Sequence, residues 1–240
     1  MDFLKSAQFG VIHDCMDTEA VHHEIRVAVL LVKLVQFIPD EIKTNYGLSD
    51  EELRRAFYKG GRYHDIGKVA LRYPLFKAAD AFPCATMLEI LRQHTIYGRG
   101  YLLEYADGLF FSDAEKQICT DMAVYHHERY DGTGYPFGLS DDIPFAAQLC
   151  ALANHFDNFS MEAPLIFGKQ IVGKRAFEST AADEGLAGKN AFSCFMAAKN
   201  PLINQYRSNQ PSLREKDMLA REHRILRDPK IHMGTTYAEG

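Results

Sequence analysis

Hydrophobic residues along the chain recur at steps of three and four positions, the spacing that puts them on one face of an α-helix. The clearest run extends from Thr18 to about Phe37, where Thr18 can cap the start and Pro39 stops the helix. Ser49 opens a second helix, and Glu52, three residues on, completes a capping box. We find no strand-like alternation of any length and no internal repeat. The sequence therefore predicts an all-α protein.

Glycine, proline and small polar residues mark the breaks in this pattern. Gly60 and Gly61 predict a distortion near the end of the second helix. Residues 131–144 are rich in Gly, Pro and Asp and predict a structured loop, whereas the small and polar residues 178–189 predict a surface connection. We expect Met196 on the core face of the last helix. Further helices are predicted near residues 84–105, 112–127, 144–159 and 191–206.

The composition is typical of a soluble globular protein and gives no indication of nucleic acid binding. The chain has 240 residues, enough for one sizeable core, and its 47% apolar and 25% charged residues are ordinary for a soluble globular protein. The net charge of −5 gives no reason to expect binding to a nucleic acid polymer. Seven basic and four acidic residues between Arg207 and Lys230 fit a solvated helix, and a basic surface for a nucleotide or a partner is the alternative.

The cysteines and the apolar segments indicate the cellular compartment in which we expect the protein. The five cysteines are widely scattered and form no Cys-x-x-Cys, which favours a reducing cytosol over a disulfide framework or a zinc knuckle. No signal peptide is evident at the N-terminus. The most apolar window, Val27–Ile38, contains Lys33 and Gln36 and is shorter than the roughly 20 residues that a membrane span needs. We expect a cytoplasmic protein that does not bind a membrane.

Two short segments carry most of the candidate chemistry. The first is His64-Asp65-Ile66-Gly67-Lys68, and the second runs from His126-His127-Glu128 into the turn Asp131-Gly132-Thr133-Gly134-Tyr135-Pro136. Neutral imidazole and carboxylate together suit divalent iron, manganese or zinc, so each segment predicts part of a metal site. Two adjacent histidines cannot face the same way on a regular helix. They therefore predict a helix end that faces a cluster of at least two metals.

A third group of candidate ligands lies on the first predicted helix. Glu19 and His23 are four residues apart, so they share one face and can reach one point. His22 lies about 100° round the helix and points elsewhere. Taken alone, such a pair is a common surface contact. The downstream histidines are what favour metal ligation here.

In this order, the motifs resemble the HD-GYP branch of the HD phosphohydrolases, metal-dependent enzymes best known for hydrolysing cyclic di-GMP. His23-Glu24-Ile25-Arg26-Val27 is similar to the family's His-x-x-Arg-Val, and His94-Thr95-Ile96-Tyr97-Gly98 is similar to its His-x-x-x-Gly. The resemblance extends from Glu19 to Asp157. It implies an HD-domain helical bundle with a five-helix metal-binding core and additional C-terminal helices. We expect an HD-GYP-like catalytic domain at residues 1–206, followed by a helical extension and frayed tail at 207–240.

The resemblance also implies roles for individual residues. Asp65 would bridge two ions, Lys68 would hold the scissile phosphate, and Gly134 and Tyr135 would shape the substrate side of the signature loop. The cofactors would be two or three divalent ions, with iron or manganese favoured over magnesium, which prefers oxygen ligands. Glu128, Asp131 and Asp157 would support the ligands. The implied metal ligands are Glu19, His23, His64, Asp65, His94, His126, His127 and Asn154.

Two departures from the family pattern affect these expectations. Asn154 stands where the family has a metal-binding aspartate, so its amide oxygen would bring no negative charge, and Asp157 can substitute or can hold a neighbouring ligand. The family's Asp-Arg-Pro-Tyr-Arg/Lys segment, whose cations hold substrate phosphates, corresponds here to residues 162–166, which keep only the proline. The candidates for replacing those cations are Lys169, Lys174 and Arg175.

The resemblance implies a phosphodiesterase that opens a cyclic dinucleotide, cyclic di-GMP above all, with a metal-activated hydroxide and no side-chain nucleophile. Two alternatives stay open, namely an HD-type phosphohydrolase for another nucleotide or phosphoester, and a domain that binds a nucleotide or a protein without turnover. The catalytic pattern starts within about 20 residues of the N-terminus. We therefore expect a stand-alone domain that either receives its signal from a separate protein or is constitutive, and the loop at Tyr135 is the candidate docking surface.

Overall fold

The computed structural model describes residues 9–10, 13, 15–71, 84–105, 108–167 and 172–205, of which 105, 162–167 and 172 are described by backbone alone. Every regular element in these ranges is helical, which confirms the all-α prediction. A 3₁₀ helix covers Ile66–Leu71. The α-helices are α1 Thr18–Val35, α2 Asp40–Thr44, α3 Asp50–Tyr63, α4 Ala85–Arg92, α5 His94–Tyr105, α6 Asp113–Tyr125, α7 Phe145–Phe167, α8 Val172–Ala182, α9 Lys189–Ala197 and α10 Lys199–Gln205.

Side-chain caps fix where the first long helices begin. The carboxylate of Asp17 accepts a hydrogen bond from the amide of Glu19 at 3.0 Å, so Asp17 caps α1 and the predicted cap at Thr18 is one residue late. The capping box of α3 is confirmed, because Glu52 N donates to Ser49 Oγ at 3.3 Å and Ser49 N donates to Glu52 Oε2 at 2.9 Å. Each cap satisfies amides that have no partner within the helix.

Four helices form a closed ring in which α1 packs on α3, α3 on α6, α6 on α7, and α7 back on α1. The centre of the ring is filled by fully buried apolar side chains such as Leu30, Phe57 and Phe156. Burial of each such side chain contributes on the order of 1.5–3 kcal/mol. Outside the ring, α5 packs on α6, and α8 packs on α7. Phe177 of α8 stacks on Phe195 of α9 with ring centroids 4.8 Å apart, which ties the C-terminal helices together.

Glycines permit two close contacts that position the candidate site. The predicted distortion at Gly60 and Gly61 is wrong, because α3 runs unbroken to Tyr63. A Cβ atom on Gly61 would lie 2.6 Å from Ala28 Cα, so glycine lets the backbones of α1 and α3 approach. A Cβ atom on Gly67 would lie 1.8 Å from the carbonyl oxygen of His94, so the 3₁₀ helix packs directly on α5.

Other helix boundaries differ from those predicted. The predicted helix at 84–105 is two helices that meet at Gln93, and α8 reaches Ala182, inside the predicted surface connection. Helix α7 continues through Pro164 to Phe167, beyond the predicted end at residue 159. Met196 is 50% exposed and does not lie in the core. Residues 207–240 lie outside the described residues, and the division at residue 206 stays a prediction.

The structure describes the state of the cysteines and the apolar length of the helices. All five cysteines are free thiols, as their scattered positions predicted. Within the part of the chain that the structure describes, no helix is both long enough and apolar enough to cross a membrane.

The close contact at Gly61 generates a prediction about stability. We expect Gly61→Ala to lower the free energy of unfolding by about 1–3 kcal/mol, because the added methyl group meets the backbone of α1. Gly100→Ala is the matched control, since a Cβ atom there meets nothing within 4 Å among the described residues and should stabilise α5 by about 0.5–1 kcal/mol. Urea unfolding followed by circular dichroism measures both values. A Gly61→Ala protein as stable as the parent would contradict this account of the helix contact.

Candidate metal centre

Histidine side chains from four parts of the bundle converge on the carboxylate of Asp65. Apart from His23, which lies in the second turn of α1, the contributing positions lie at helix ends, where the chain changes direction. Asp65 is 1% exposed, so its charge lies inside the protein. The converging residues are His23 of α1, His64 at the end of α3, His94 at the start of α5, and His126 and His127 directly after α6.

The two oxygens of Asp65 face two different groups of histidines. Oδ1 lies 3.3 Å from His94 Nε2 and 3.5 Å from His126 Nε2. Oδ2 lies 3.4 Å from His64 Nε2 and 3.8 Å from His23 Nε2. One candidate ligand group is therefore Asp65 with His94, His126 and His127, and the other is Asp65 with His23 and His64. A carboxylate shared in this way is suited to bridge two cations.

Helix C-termini orient three of the imidazoles. A carbonyl oxygen has two lone pairs, and near the end of a helix at least one of them is open to a side-chain donor. An imidazole that donates its Nδ1 hydrogen to such a carbonyl presents the lone pair of Nε2 on its other side. The Nδ1 atoms of His64, His94 and His126 lie 2.8, 2.7 and 2.8 Å from the carbonyl oxygens of Gly61, Leu91 and Met122, respectively.

The atoms that point into the centre lack hydrogen-bond partners. Five buried side-chain nitrogen or oxygen atoms are unpaired among the described residues, and four of them belong to this cluster. An unpaired buried polar atom costs roughly 1–3 kcal/mol, so four in one place need an explanation. Divalent cations would satisfy all of them. The four are Nε2 of His64, His94 and His126 and Oδ1 of Asp65.

Burial and charge set the protonation states that metal ligation requires. Burial lowers the pKa of His64 and of His127 well below the usual value for histidine, and it lowers the pKa of His126 in the same direction. Burial alone would raise the pKa of Asp65, but Lys68, whose Nζ lies 2.5 Å from Oδ2, helps to hold that pKa well below its ordinary value. The cluster therefore combines imidazoles that burial keeps neutral, at His64, His126 and His127, with an ionised carboxylate.

Two buried carboxylates support the cluster through hydrogen bonds, one with His23 and one with the loop after His127. Asp157 accepts a hydrogen bond from Arg26 Nε at 2.8 Å, and its Oδ2 lies 2.7 Å from Nδ1 of His23, which it thereby orients. Glu128 accepts hydrogen bonds from the amides of Phe137 at 2.6 Å and Leu139 at 2.9 Å. One carboxylate thus positions a candidate ligand, and the other fixes the loop that follows the histidine pair.

The loop from Asp131 to Pro136 folds back on the end of α6. The amide of Tyr135 donates to the carbonyl of His127 at 3.1 Å, and the two rings stack with centroids 4.6 Å apart and planes 19° apart. A Cβ atom on Gly134 would lie 2.6 Å from the carbonyl oxygen of His127, so only glycine fits there without movement of the backbone. Tyr135 therefore forms a wall beside His127.

A family comparison agrees with this geometry. The model of the HD domain family matches residues 47–182, more than half of the chain. This chain belongs to the HD domain family. The intact Gly134-Tyr135-Pro136 turn and the relatives described next make it an HD domain of the HD-GYP type.

Several relatives of this HD domain have named activities. A probable cyclic di-GMP phosphodiesterase of Vibrio cholerae is 33% identical over 144 residues, which are 59% of this chain and 32% of the relative. A cyclic di-GMP phosphodiesterase of Thermotoga maritima is 31% identical over 160 residues, 64% of this chain and 38% of the relative. A 3'3'-cGAMP-specific phosphodiesterase of Vibrio cholerae is 32% identical over 113 residues, 47% and 20% of the two chains. The chain spans about a third of the length of the first two.

Two of the predicted ligands lie differently from the others in the HD domain. Glu19 is exposed and belongs to neither ligand group. Asn154 is 6% exposed and lines a cleft beside His126 and His127, where its Oδ1 accepts a hydrogen bond from Asn158 at 3.1 Å. Metal ligation by either residue stays a prediction.

Sequence reasoning missed the contacts that hold the signature loop from the C-terminal side. Arg129 donates to both carboxylate oxygens of Asp183, at 2.7 and 2.9 Å, and also to Asp131. The amide of Asp131 donates to the carbonyl of Gly185 at 3.1 Å. Arg129 and Asp183 are 54 residues apart, and no local pattern in the chain marks them as partners.

The neighbouring residues His22 and His23 offer a matched test of the ligand groups. We expect His23→Ala to lower the metal content of the purified protein by about one ion per chain, because it removes one of the three donors of its group. His22→Ala should leave the metal content unchanged, since His22 is exposed. Elemental analysis after dialysis measures both, with circular dichroism as the check on folding. Equal metal contents in the two variants would exclude His23 as a ligand.

Proposed function

We propose that this chain is a metal-dependent phosphodiesterase that hydrolyses a cyclic dinucleotide, and that cyclic di-GMP is its substrate. The observation that carries the proposal is the pair of buried ligand groups that share Asp65, with the cation of Lys68 beside them. The named activities of the relatives support the same substrate class.

The ligand groups support a site for two divalent ions. His23, His64 and Asp65 would hold one ion, and Asp65 with His94, His126 and His127 would hold the other. Neutral imidazole suits iron, manganese and zinc better than magnesium, which prefers oxygen ligands, and we infer iron or manganese. A third ion would need ligands beyond these groups, and Glu19 and Asn154 are the candidates.

The protein's own groups would orient the substrate and balance its charge. Divalent ions in such a site lower the pKa of water and stabilise negative charge on phosphate oxygens. The ammonium group of Lys68, which is 30% exposed and ion-paired to Asp65, would approach a phosphate oxygen from the solvent side. Tyr135 and Gly134 line the adjacent cleft and would limit the positions that a nucleotide can take.

Two further parts of the proposal concern the cellular compartment and a protein partner. We infer a cytoplasmic enzyme, since all five cysteines are free thiols. A separate signalling protein that docks on the loop after α6 would contact Tyr130 and Phe137, which are 43% and 59% exposed. Tyr135 is partly buried against His127, so its main contribution would be to the cleft.

A second candidate substrate is 3'3'-cGAMP. Its support is the relative named as specific for that dinucleotide, which is 32% identical over 113 residues. Initial rates with cyclic di-GMP, 3'3'-cGAMP and a mononucleotide ester at equal concentration separate the candidates. Preference for the mononucleotide ester would contradict the proposed substrate class.

Three variants test the proposed chemistry on anaerobically purified protein loaded with manganese or iron. Asp65→Ala should lose both metal and turnover of cyclic di-GMP, because it removes the donor that both groups share. Lys68→Gln should keep its metal but lose about 100–1,000-fold in kcat, the effect of removing one group that stabilises developing charge. Lys43→Gln is the control, since Lys43 pairs with exposed Asp50 on the surface.

Chromatography of the products and elemental analysis of the same samples provide the readout. Full turnover by Asp65→Ala, or by protein stripped with a chelator, would contradict a metal-dependent reaction. A parent protein that binds metal but does not cleave either cyclic dinucleotide would overturn the proposed function.

A further inference from the structure

A stack of three side chains connects the candidate metal centre to the surface. Tyr135 stacks on His127, and the guanidinium carbon of Arg92 lies 5.1 Å from the centroid of the Tyr135 ring. Arg92 is the last residue of α4, and its side chain is 44% exposed. A guanidinium over an aromatic ring gains a cation–π attraction that limits its positions. Arg92 is therefore held at the edge of the site without being buried.

The stack forms part of the wall of one cleft of about 280 Å³. This volume is just below the range of roughly 300–1,000 Å³ that is usual for small-molecule sites. A cyclic dinucleotide would fill such a cleft and extend to its rim, where Arg92 lies. The stacked residues that line it are Arg92, Tyr135 and His127, and Asn154 and Asn158 lie with them.

A cyclic dinucleotide carries two phosphates, and only one of them is cleaved at a time. The other phosphate also carries a negative charge, which a cation at the rim of the cleft would offset. Among the described residues, the basic residues that the sequence suggested for this role do not line the cleft. Lys174 is exposed, pairs with Glu178 at 3.7 Å and does not line the cleft, and Arg175 does not line it either. Lys169 lies outside the described residues.

Two arginines line the cleft, and their partners differ. Arg129 is bound to the carboxylates of both Asp131 and Asp183, so its charge is balanced within the protein. Arg92 donates one hydrogen bond to Glu89, at 2.7 Å, and the side chain of Glu89 is 66% exposed. An exposed ion pair of this kind contributes little, so Arg92 can exchange it for a phosphate. A guanidinium has five N–H donors and can bind a phosphate through two of them.

We propose that Arg92 binds the phosphate of the cyclic dinucleotide that is not being cleaved. The inference rests on the proposed function and assigns Arg92 as a residue that selects substrates with two phosphates. Tyr135 holds the guanidinium at the rim, and Lys68 serves the phosphate that reacts. The cation that the family pattern carries after Asp157 is thus supplied by α4, before the histidine of α5.

Binding and kinetics of one set of variants test this role. The binding probe is a bis-phosphorothioate analogue of cyclic di-GMP, which resists hydrolysis, titrated into metal-loaded protein by calorimetry. Arg92→Ala should raise the Kd of the analogue and the KM of cyclic di-GMP by about 10–100-fold, the loss expected for hydrogen bonds to a charged group, with little change in kcat. Arg92→Lys should recover part of the loss, because it restores charge but not the planar fork. Arg99→Ala, at an exposed position of α5, is the matched control.

A substrate with a single phosphodiester separates recognition from a structural effect. Hydrolysis of bis(p-nitrophenyl) phosphate should be the same in Arg92→Ala and the parent, because this ester has no second phosphate. The proposal is overturned if Arg92→Ala binds the analogue as tightly as the parent, if it loses activity on both substrates alike, or if the parent does not bind the analogue. A parent that binds the analogue but does not cleave cyclic di-GMP would instead refute the proposed function, and the Kd values would still decide the role of Arg92.

Discussion

The charge of Asp65 inside the helical bundle is the constraint on which the rest of the site depends. A buried carboxylate is costly unless cations or hydrogen-bond donors surround it. Lys68 supplies one positive charge, but burial lowers the pKa of His64 and of His126, whose Nε2 atoms face the same carboxylate. Neutral lone pairs do not compensate a carboxylate, whereas divalent cations compensate both. The carboxylate charge and the nitrogen lone pairs are therefore both compensated only when metal is bound. This is the physical reason to identify the cluster as a candidate metal centre.

Most of the imidazole donors lie at the ends of helices. Carbonyl groups in the last turns of α3, α4 and α6 are the partners of the Nδ1 atoms of His64, His94 and His126. Each contact uses a lone pair of a helix-end carbonyl and favours the ligand form of the imidazole, in which Nδ1 donates and Nε2 keeps its lone pair. Close packing at Gly61 and Gly67 brings these ends together. Stability of the fold and assembly of the site thus depend on the same contacts.

Local patterns in the sequence predicted the helices and most of the donor set, because helical spacing and adjacent His-Asp and His-His pairs are short-range signals. They did not predict the pairing of Arg129 with Asp183 or the stacking of Arg92 on Tyr135, since those partners are far apart in the chain. The predicted break at Gly60 and Gly61 was wrong because these glycines serve a contact with α1, which sequence alone does not reveal. Helix α7 extends beyond the predicted end at residue 159 and passes through Pro164, which local propensity disfavours in a helix interior.

The proposal on which the others depend is that one carboxylate, Asp65, would bridge two metal ions. Electron paramagnetic resonance during titration of metal-free protein with Mn²⁺ tests it most directly, because two Mn²⁺ ions that share a carboxylate are magnetically coupled. We expect two ions to bind per chain and the sharp signal of the first to be replaced by a broad coupled signal as the second binds. Binding of a single ion, or two ions with independent signals, would contradict it.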